Sequence, residues 1–128
     1  MRIVVGISGA SGTVYGQRLV ARLAEAGVDV ILTMSRSLEK LFPAELGMPC
    51  DCTRPDLPRL FGAGSVARIS YRVPEDIGAD IASGTFPVDG TVICPASTGF
   101  LGRLSVGAST NLLERAADVA MKERRTLV

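Results

Sequence analysis

A β-branched hexapeptide, Arg2 to Ile7 (RIVVGI), runs directly into Ser8-Gly9-Ala10-Ser11-Gly12, after which Tyr15, Leu19 and Leu23 recur at helical spacing. Strand, glycine-rich turn and helix in that order begin a βαβ unit. Gly27 suits the end of the helix, and Val28 to Met34 (VDVILTM) is a second near-continuous apolar strand. Such unbroken apolar runs belong to parallel sheets covered on both faces. A chain that starts this way is confined to a few α/β architectures.

Leu38 to Leu46 reads as a short helix disturbed by Pro43, while Gly47 to Gly64, with Pro49, Pro55 and Pro58, is turn-rich and yields no element. Ala67 to Tyr71 is a third strand. The polar stretch from Arg72 to Asp89 is long enough for a functional loop, and Thr91 to Cys94 (TVIC) is a fourth strand closed by Pro95. Thr98 to Ala108 and Asn111 to Lys122 are helical, the second with Leu112, Ala116, Val119 and Ala120 on its inner face. Thr126 to Val128 begins another apolar strand. The alternation predicts a three-layer α/β/α, Rossmann-like, doubly wound parallel sheet of order 3-2-1-4-5. With 128 residues, 47% of them hydrophobic, and no repeat or linker, the chain reads as one domain over residues 1–128.

Fourteen basic against thirteen acidic residues leave a net charge of +1, too little for the broad field that nucleic-acid or membrane-surface binding needs. Any anion site must be local. No apolar stretch approaches ~20 residues and no signal-type cleavage pattern is present, so the expectation is a cytoplasmic protein. Cys50, Cys52 and Cys94 make an odd set unlike a secreted disulfide framework, and Cys50 and Cys52 are too close in sequence to pair easily. Zinc wants about four ligands, so these thiols without any histidine argue against a metal site. The absence of His also removes Ser-His and Cys-His nucleophile pairs, leaving carboxylates, Lys, Arg, hydroxyls or a cofactor to do chemistry. Cys94 reads as a core residue.

The turn Gly6-x-x-Gly9-x-x-Gly12 lets backbone N–H groups approach an anion at a helix start, but it is not the G-x-G-x-x-G spacing. Where a dinucleotide fold places a ribose-binding acid, this chain has Thr33-Met34-Ser35-Arg36, which suits a phosphate or ribityl chain better than NAD. In a 3-2-1-4-5 sheet the loops after strands one and four, Ser8 to Gly12 and Pro95 to Phe100, diverge at the switch point where ligands bind. Both carry hydroxyls beside small residues, as a flat polar ring with a phosphate tail requires, and FMN fits that description. The plainer alternatives are tight packing at Gly9 and Gly12 and helix capping by Ser97 and Thr98. Arg115 and Lys122, seven residues apart on one predicted helix, either clamp a phosphate together or belong to an exposed face where Asp118 pairs with Lys122. Glu45 is, on local evidence, an ordinary exposed carboxylate.

Three segments, Gly6-Ile7-Ser8-Gly9-Ala10-Ser11-Gly12-x-x-Tyr15-Gly16, Ile93-Cys94-Pro95-Ala96-Ser97-Thr98-Gly99 and Asn111-Leu112-Leu113-Glu114-Arg115-Ala116-Ala117-Asp118-Val119-Ala120-x-Lys122-Glu123, together resemble the UbiX flavin prenyltransferases, formerly described as aromatic-acid decarboxylases. The resemblance implies that Gly9, Ala10 and Ser11 contact the isoalloxazine of FMN. It implies further that Ser35, Ser97, Thr98, Gly99 and Phe100 help hold the cofactor and that Arg115 serves the flavin site. Lys122 would bind the phosphate of dimethylallyl phosphate, Glu45 would lie near the prenyl pocket, and the Ser11 hydroxyl would assist proton movement. The implied reaction is metal-free and joins a dimethylallyl group to reduced FMN. An allylic cation can be stabilised on a π face while Lys and Arg take up the departing phosphate. The resemblance also implies a homo-oligomer that passes prenylated FMN to a UbiD-type decarboxylase.

Phe100 stands where the family commonly has Thr, and Ile77 falls where some members have Trp. The 128 residues stop before the family's Pro-Arg-Glu motif and its later Tyr and Arg or Lys, so the expectation is a partial site without turnover of its own. Two other readings stay open: a flavin-dependent cysteine decarboxylase, whose catalytic His and Asn-containing signature are missing here, and a non-catalytic flavin-binding subunit.

Overall fold

Four parallel strands, β1 (Arg2–Ile7), β2 (Asp29–Met34), β3 (Ile69–Arg72) and β4 (Gly90–Ile93), form one sheet of order β3-β2-β1-β4 in the computed structural model, which describes residues 1–128. The register pairs Ile3 with Val30 and Ile7 with Met34 on one side of β1, and Gly6 with Ile93 on the other. Beyond β4, Leu127 makes a parallel bridge to Thr91, and the Ile93 N–H donates to the Val128 carbonyl at 2.8 Å. The run Thr126 to Val128 therefore occupies the fifth position, as a single bridge.

Strand residues alternate between two covered faces, which explains their unbroken apolar character. Val5, Ile7, Val30, Leu32 and Met34 pack with α1 (Thr13–Glu25), α2 (Leu38–Leu46) and α3 (Leu57–Phe61). Val4 and Ile31 face the other way, against a 3₁₀ turn at Asp80–Ala82 and α5 (Leu112–Lys122). On the same side α4 (Thr98–Ser105) sends Phe100 into a cluster with Ile93, Leu113 and Ala117. The result is the three-layer α/β/α sandwich expected from the sequence. The longest helix has 13 residues, and no helix is long and apolar enough to cross a membrane.

Two local expectations are corrected. The buried stripe of α1 is Thr13, Gly16, Val20 and Ala24, with Leu19 and Leu23 only partly buried and Tyr15 68% exposed. Gly16 sets this rotation: a Cβ there would overlap the Cys94 carbonyl, so the helix lies against the end of β4 with no side chain between. The proline-rich stretch left without an element contains α3. Asp56 Oδ1 accepts from the Arg59 N–H at 3.1 Å and Pro58 sits in the first turn, an N-terminal pattern strong enough to start a five-residue helix.

Candidate functional site

The loops after β1 and β4 are stitched together by one buried hydroxyl. Ser8 Oγ donates to the Pro95 carbonyl at 2.7 Å and accepts from the Ser97 N–H at 2.7 Å, while the Ser8 N–H donates to Pro95 at 3.2 Å. At 3% exposure Ser8 has no water to replace these bonds, so the crevice between the loops is held at a fixed width. Ser97 Oγ accepts from the Phe100 N–H at 3.1 Å and caps α4, as the plainer alternative anticipated. The N–H groups of Gly9, Ser11, Thr98 and Gly99 have no acceptor within the chain. Phe100 is different: at 2% exposure its ring belongs to the core, and its N–H is taken by Ser97. The crevice thus loses a hydroxyl at this position without gaining an aromatic wall.

The end of β2 supplies the third wall. The hydroxyls of Ser35 and Ser37 lie 2.8 Å apart, and a Cβ at Gly9 would collide with the Ser37 hydroxyl and come within 2.8 Å of Ser37 Cβ. Glycine at this position is therefore needed for close approach of the two loops. Ser37 was not singled out from the sequence; the Ser35-Arg36-Ser37 triplet was its only signal. Arg36 is engaged by Glu39 at 2.8 Å and by Glu75, which raises its pKa further, chiefly through the Glu75 hydrogen bond. Its charge is largely neutralised where it stands.

Glu45, from the last turn of α2, reaches back to the start of α1. Its Oε2 accepts from the Gly12 N–H at 3.1 Å, the Thr13 N–H at 2.9 Å and the Thr13 hydroxyl at 2.8 Å. The Thr13 hydroxyl, then its N–H, and then the Ser11 hydroxyl hold this carboxyl below the usual carboxylate range. The fold thus brings Ser11 and Glu45 together, two residues with 33 positions between them in sequence. It also fills the anion-binding end of α1 with the protein's own carboxylate.

Arg115 lines an open cleft of about 440 Å³ with Ile77, Gly107, Ser109, Asn111 and Asp118, on the same edge of the sheet, and it forms no ion pair within the chain. Burial raises the Asp118 carboxyl, Arg115 opposes the shift, and Glu114 adds to it. Lys122 is not brought to this edge. It lies at the other end of α5, paired with Glu123 at 3.0 Å, and Glu123 packs on Gly84 near the start of β4. The pairing of Lys122 with Asp118 is not formed; Lys122 pairs with Glu123, and Asp118 accepts from the Ser109 hydroxyl.

A buried carboxylate missed in the sequence braces this region. Glu114 is 2% exposed; its Oε1 accepts from Arg103 Nε at 2.7 Å and Nη2 at 2.6 Å, and its Oε2 from the Thr110 N–H at 2.7 Å and hydroxyl at 2.8 Å. Burial alone would push the carboxyl up, but Arg103 and then Thr110 outweigh it and hold it below its ordinary value. These bonds fix α4, the connecting loop and α5 relative to one another. No three His, Cys, Asp or Glu side chains are grouped to hold a metal.

The sequence model of the Flavoprotein family matches residues 1–128, the whole chain. The chain belongs to the flavoprotein family. Within it, the flavin prenyltransferase UbiX of Thauera aromatica is 45% identical over 128 residues, covering 100% of this chain and 60% of that protein. A crystal structure of AnUbiX (PadA1) in complex with FMN and dimethylallyl pyrophosphate superposes with a TM-score of 0.81 at 30% identity, covering 98% of this chain and 61% of the other. A dodecameric FMN-dependent UbiX-like decarboxylase from Escherichia coli O157:H7 gives 0.82 at 31% identity, with coverage of 99% and 64%. These flavoproteins bear out the resemblance carried by the three motifs. The chain spans about 60% of the length of the curated relatives it matches.

Proposed function

We propose that this chain binds FMN in the crevice stitched by Ser8 and provides the flavin-binding part of a flavin prenyltransferase. The carrying observation is the donor set: four partnerless N–H groups, on Gly9, Ser11, Thr98 and Gly99, on two loops locked together at the carboxyl edge of the sheet. A flat ring with carbonyl and ring-nitrogen acceptors matches those donors, and glycine and alanine at positions 9, 10 and 99 leave room for it. The Ser35 and Ser37 hydroxyls and the unpaired Arg115 offer partners for a ribityl chain and an anion. Phe100 supports the loop from the core, and Lys122 is outside this set.

Bound reduced FMN supplies the nucleophilic ring positions to which a dimethylallyl group is joined. Ser11 and Glu45 would be the proton-handling pair: the Glu45 carboxylate accepts from Thr13, and the neighbouring Ser11 hydroxyl helps keep it ionised. Arg115 takes up anionic charge in its cleft. The full reaction uses dimethylallyl phosphate and delivers its product to a UbiD-type decarboxylase, in a cytoplasmic homo-oligomer; the name of the Thauera aromatica relative supports the prenyl transfer, and the dodecameric E. coli neighbour supports the oligomer.

The deciding experiment incubates FMN, a reductant and dimethylallyl phosphate with two proteins and measures the mass of the recovered flavin. One is the 128-residue chain; the other is a chimera in which the remainder of the Thauera aromatica relative follows Val128. A flavin heavier by one prenyl group from the chimera, with FMN bound but unchanged on the 128 residues alone, supports the assignment. FMN bound yet unchanged by both favours a non-catalytic flavin-binding subunit.

A further inference from the structure

Cys50 and Cys52 take no part in the crevice, yet their sulfurs lie 3.9 Å apart in the loop after α2. Cys50 is half-buried and opens on a cleft of about 260 Å³ lined by Asp51, Arg54, Asp56 and Arg59. The two carboxylates there are spent on the backbone, Asp51 on the Thr53 N–H at 2.8 Å and Asp56 on the Arg59 N–H at 3.1 Å. Neither Arg54 nor Arg59 is in an ion pair. Cys52, in contrast, is fully buried against the main core cluster. Its sulfur donates to the Ser35 carbonyl at 3.3 Å, while its own N–H is held by Glu39 at 3.2 Å and its carbonyl by the Tyr71 hydroxyl at 2.7 Å.

We propose that this pair is a thiol–disulfide exchange site, in which Cys50 takes a low-molecular-weight, carboxylate-bearing disulfide and Cys52 resolves the adduct. The Cys50 thiolate attacks one sulfur of the small disulfide, forming a mixed disulfide and releasing one small thiolate. Arg54 and Arg59 receive the carboxylates of the bound half. Cys50 and burial hold the Cys52 thiol well above its ordinary value, so Cys52 passes its proton to the departing group as it attacks the Cys50 sulfur; a second small thiol leaves and the Cys50–Cys52 disulfide remains. Two protein thiols are oxidised and one small disulfide is reduced to two thiols. Turned from the Ser35 carbonyl to Cys50, the single Cys52 S–H favours the thiolate at Cys50, against burial, Glu39 and Asp51. A ring closed across a single residue is strained, so excess thiol reverses it readily.

The backbone of Cys52 is pinned at both ends, so only its sulfur can move. Closing from 3.9 Å to the ~2 Å of a disulfide turns that sulfur away from the Ser35 carbonyl. Oxidation is therefore felt at the end of β2, on the wall of the crevice. This chemistry stands independently of the flavin reading.

Glutathione disulfide is the probe, with intact and peptide mass spectrometry and amide exchange as readouts. The parent protein should lose two hydrogens, mapped to Cys50 and Cys52, while Cys52→Ser should stop at one glutathionyl adduct on Cys50. Cys52→Ala serves the same purpose if a core serine unfolds the chain. Cys50→Ser should leave Cys52 unmodified. Amide exchange over residues 35–38 should quicken about five-fold on oxidation, the ratio for one lost hydrogen bond. Modification confined to Cys94, or an unmodified Cys50 in both Cys52 variants, would overturn the proposal. Exchange at residues 35–38 that ignores oxidation would overturn the link to the crevice.

Discussion

Glu45 Oε2 accepts both the N–H of Thr13, at 2.9 Å, and its hydroxyl, at 2.8 Å, closing the start of α1 with a carboxylate from another helix. The first-turn N–H groups of a helix attract anions because they lack intrahelical acceptors. Here the chain meets that need itself. The glycine-rich turn that looks built for a phosphate thereby keeps free donors only at Gly9 and Ser11, which in the proposed function face a neutral ring.

Glu45→Gln should lower the melting temperature at neutral pH and flatten its acid limb. The folded carboxyl is held below its ordinary value, so its stabilisation is fully present above the unfolded pKa of ~4.3 and fades as pH falls through the lower folded value. Parent and variant melting curves should converge at the acid end. A constant gap across the whole range would contradict this.

Gly9→Ala should weaken FMN binding by at least about ten-fold with little change in melting temperature, since the new methyl displaces the Ser37 hydroxyl at the crevice wall. The double variant Gly9→Ala/Ser37→Gly removes the obstructing atoms and should recover part of the affinity, short of the parent because the Ser37 hydroxyl is lost as a partner. Titration of all three proteins with FMN checks both steps.

Arg115→Ala and Lys122→Ala should separate. Both are exposed, so each should shift stability by no more than about 1 kcal/mol. Only Arg115→Ala should reduce binding of FMN to the 128-residue chain, because Lys122 sits at the far end of α5. Equal losses in the two variants would show that the cleft around Arg115 is not the anion subsite.

Glu114→Ala should destabilise the fold by about 3 kcal/mol in denaturant titrations, since it strips Arg103 and Thr110 of a buried acceptor. Arg103 is 43% exposed and can turn to solvent, which keeps the loss at the lower end for a buried pair. A melting temperature unchanged from the parent would mean that the network does not brace α4 against α5.

The unit from Arg2 to Met34 was legible because strand, turn and helix are written in local periodicity. The inner face of α1 was not: Gly16 sets it by the absence of a side chain, and a count of apolar spacing favoured Tyr15 instead. Helix α3 was hidden by prolines that, at its first turn, in fact help start it. In the candidate site, the loops carrying Gly9, Ser11, Ser97 and Thr98 were legible as the two that meet at the switch point, whereas the capping of α4 by Ser97 and the close approach of Gly9 to Ser37 show only in the structure. Glu45 carried no local signal, since its partner Thr13 lies 32 residues away and only the packing of α2 beside α1 joins them. Ser8 and Glu114 were missed for the same reason: their roles depend on bonds between elements, and a buried polar residue looks like a surface one until its partners are seen.

The most direct measurement is a paired fluorescence titration of the 128-residue protein with FMN and with NADH. Saturable quenching of FMN, weakened in Gly9→Ala, together with no response from NADH, is the result expected of a crevice whose helix end is already closed by Glu45. Saturable NADH binding with no effect on FMN would contradict it, and would mean that the Glu45 carboxylate yields its place to a pyrophosphate.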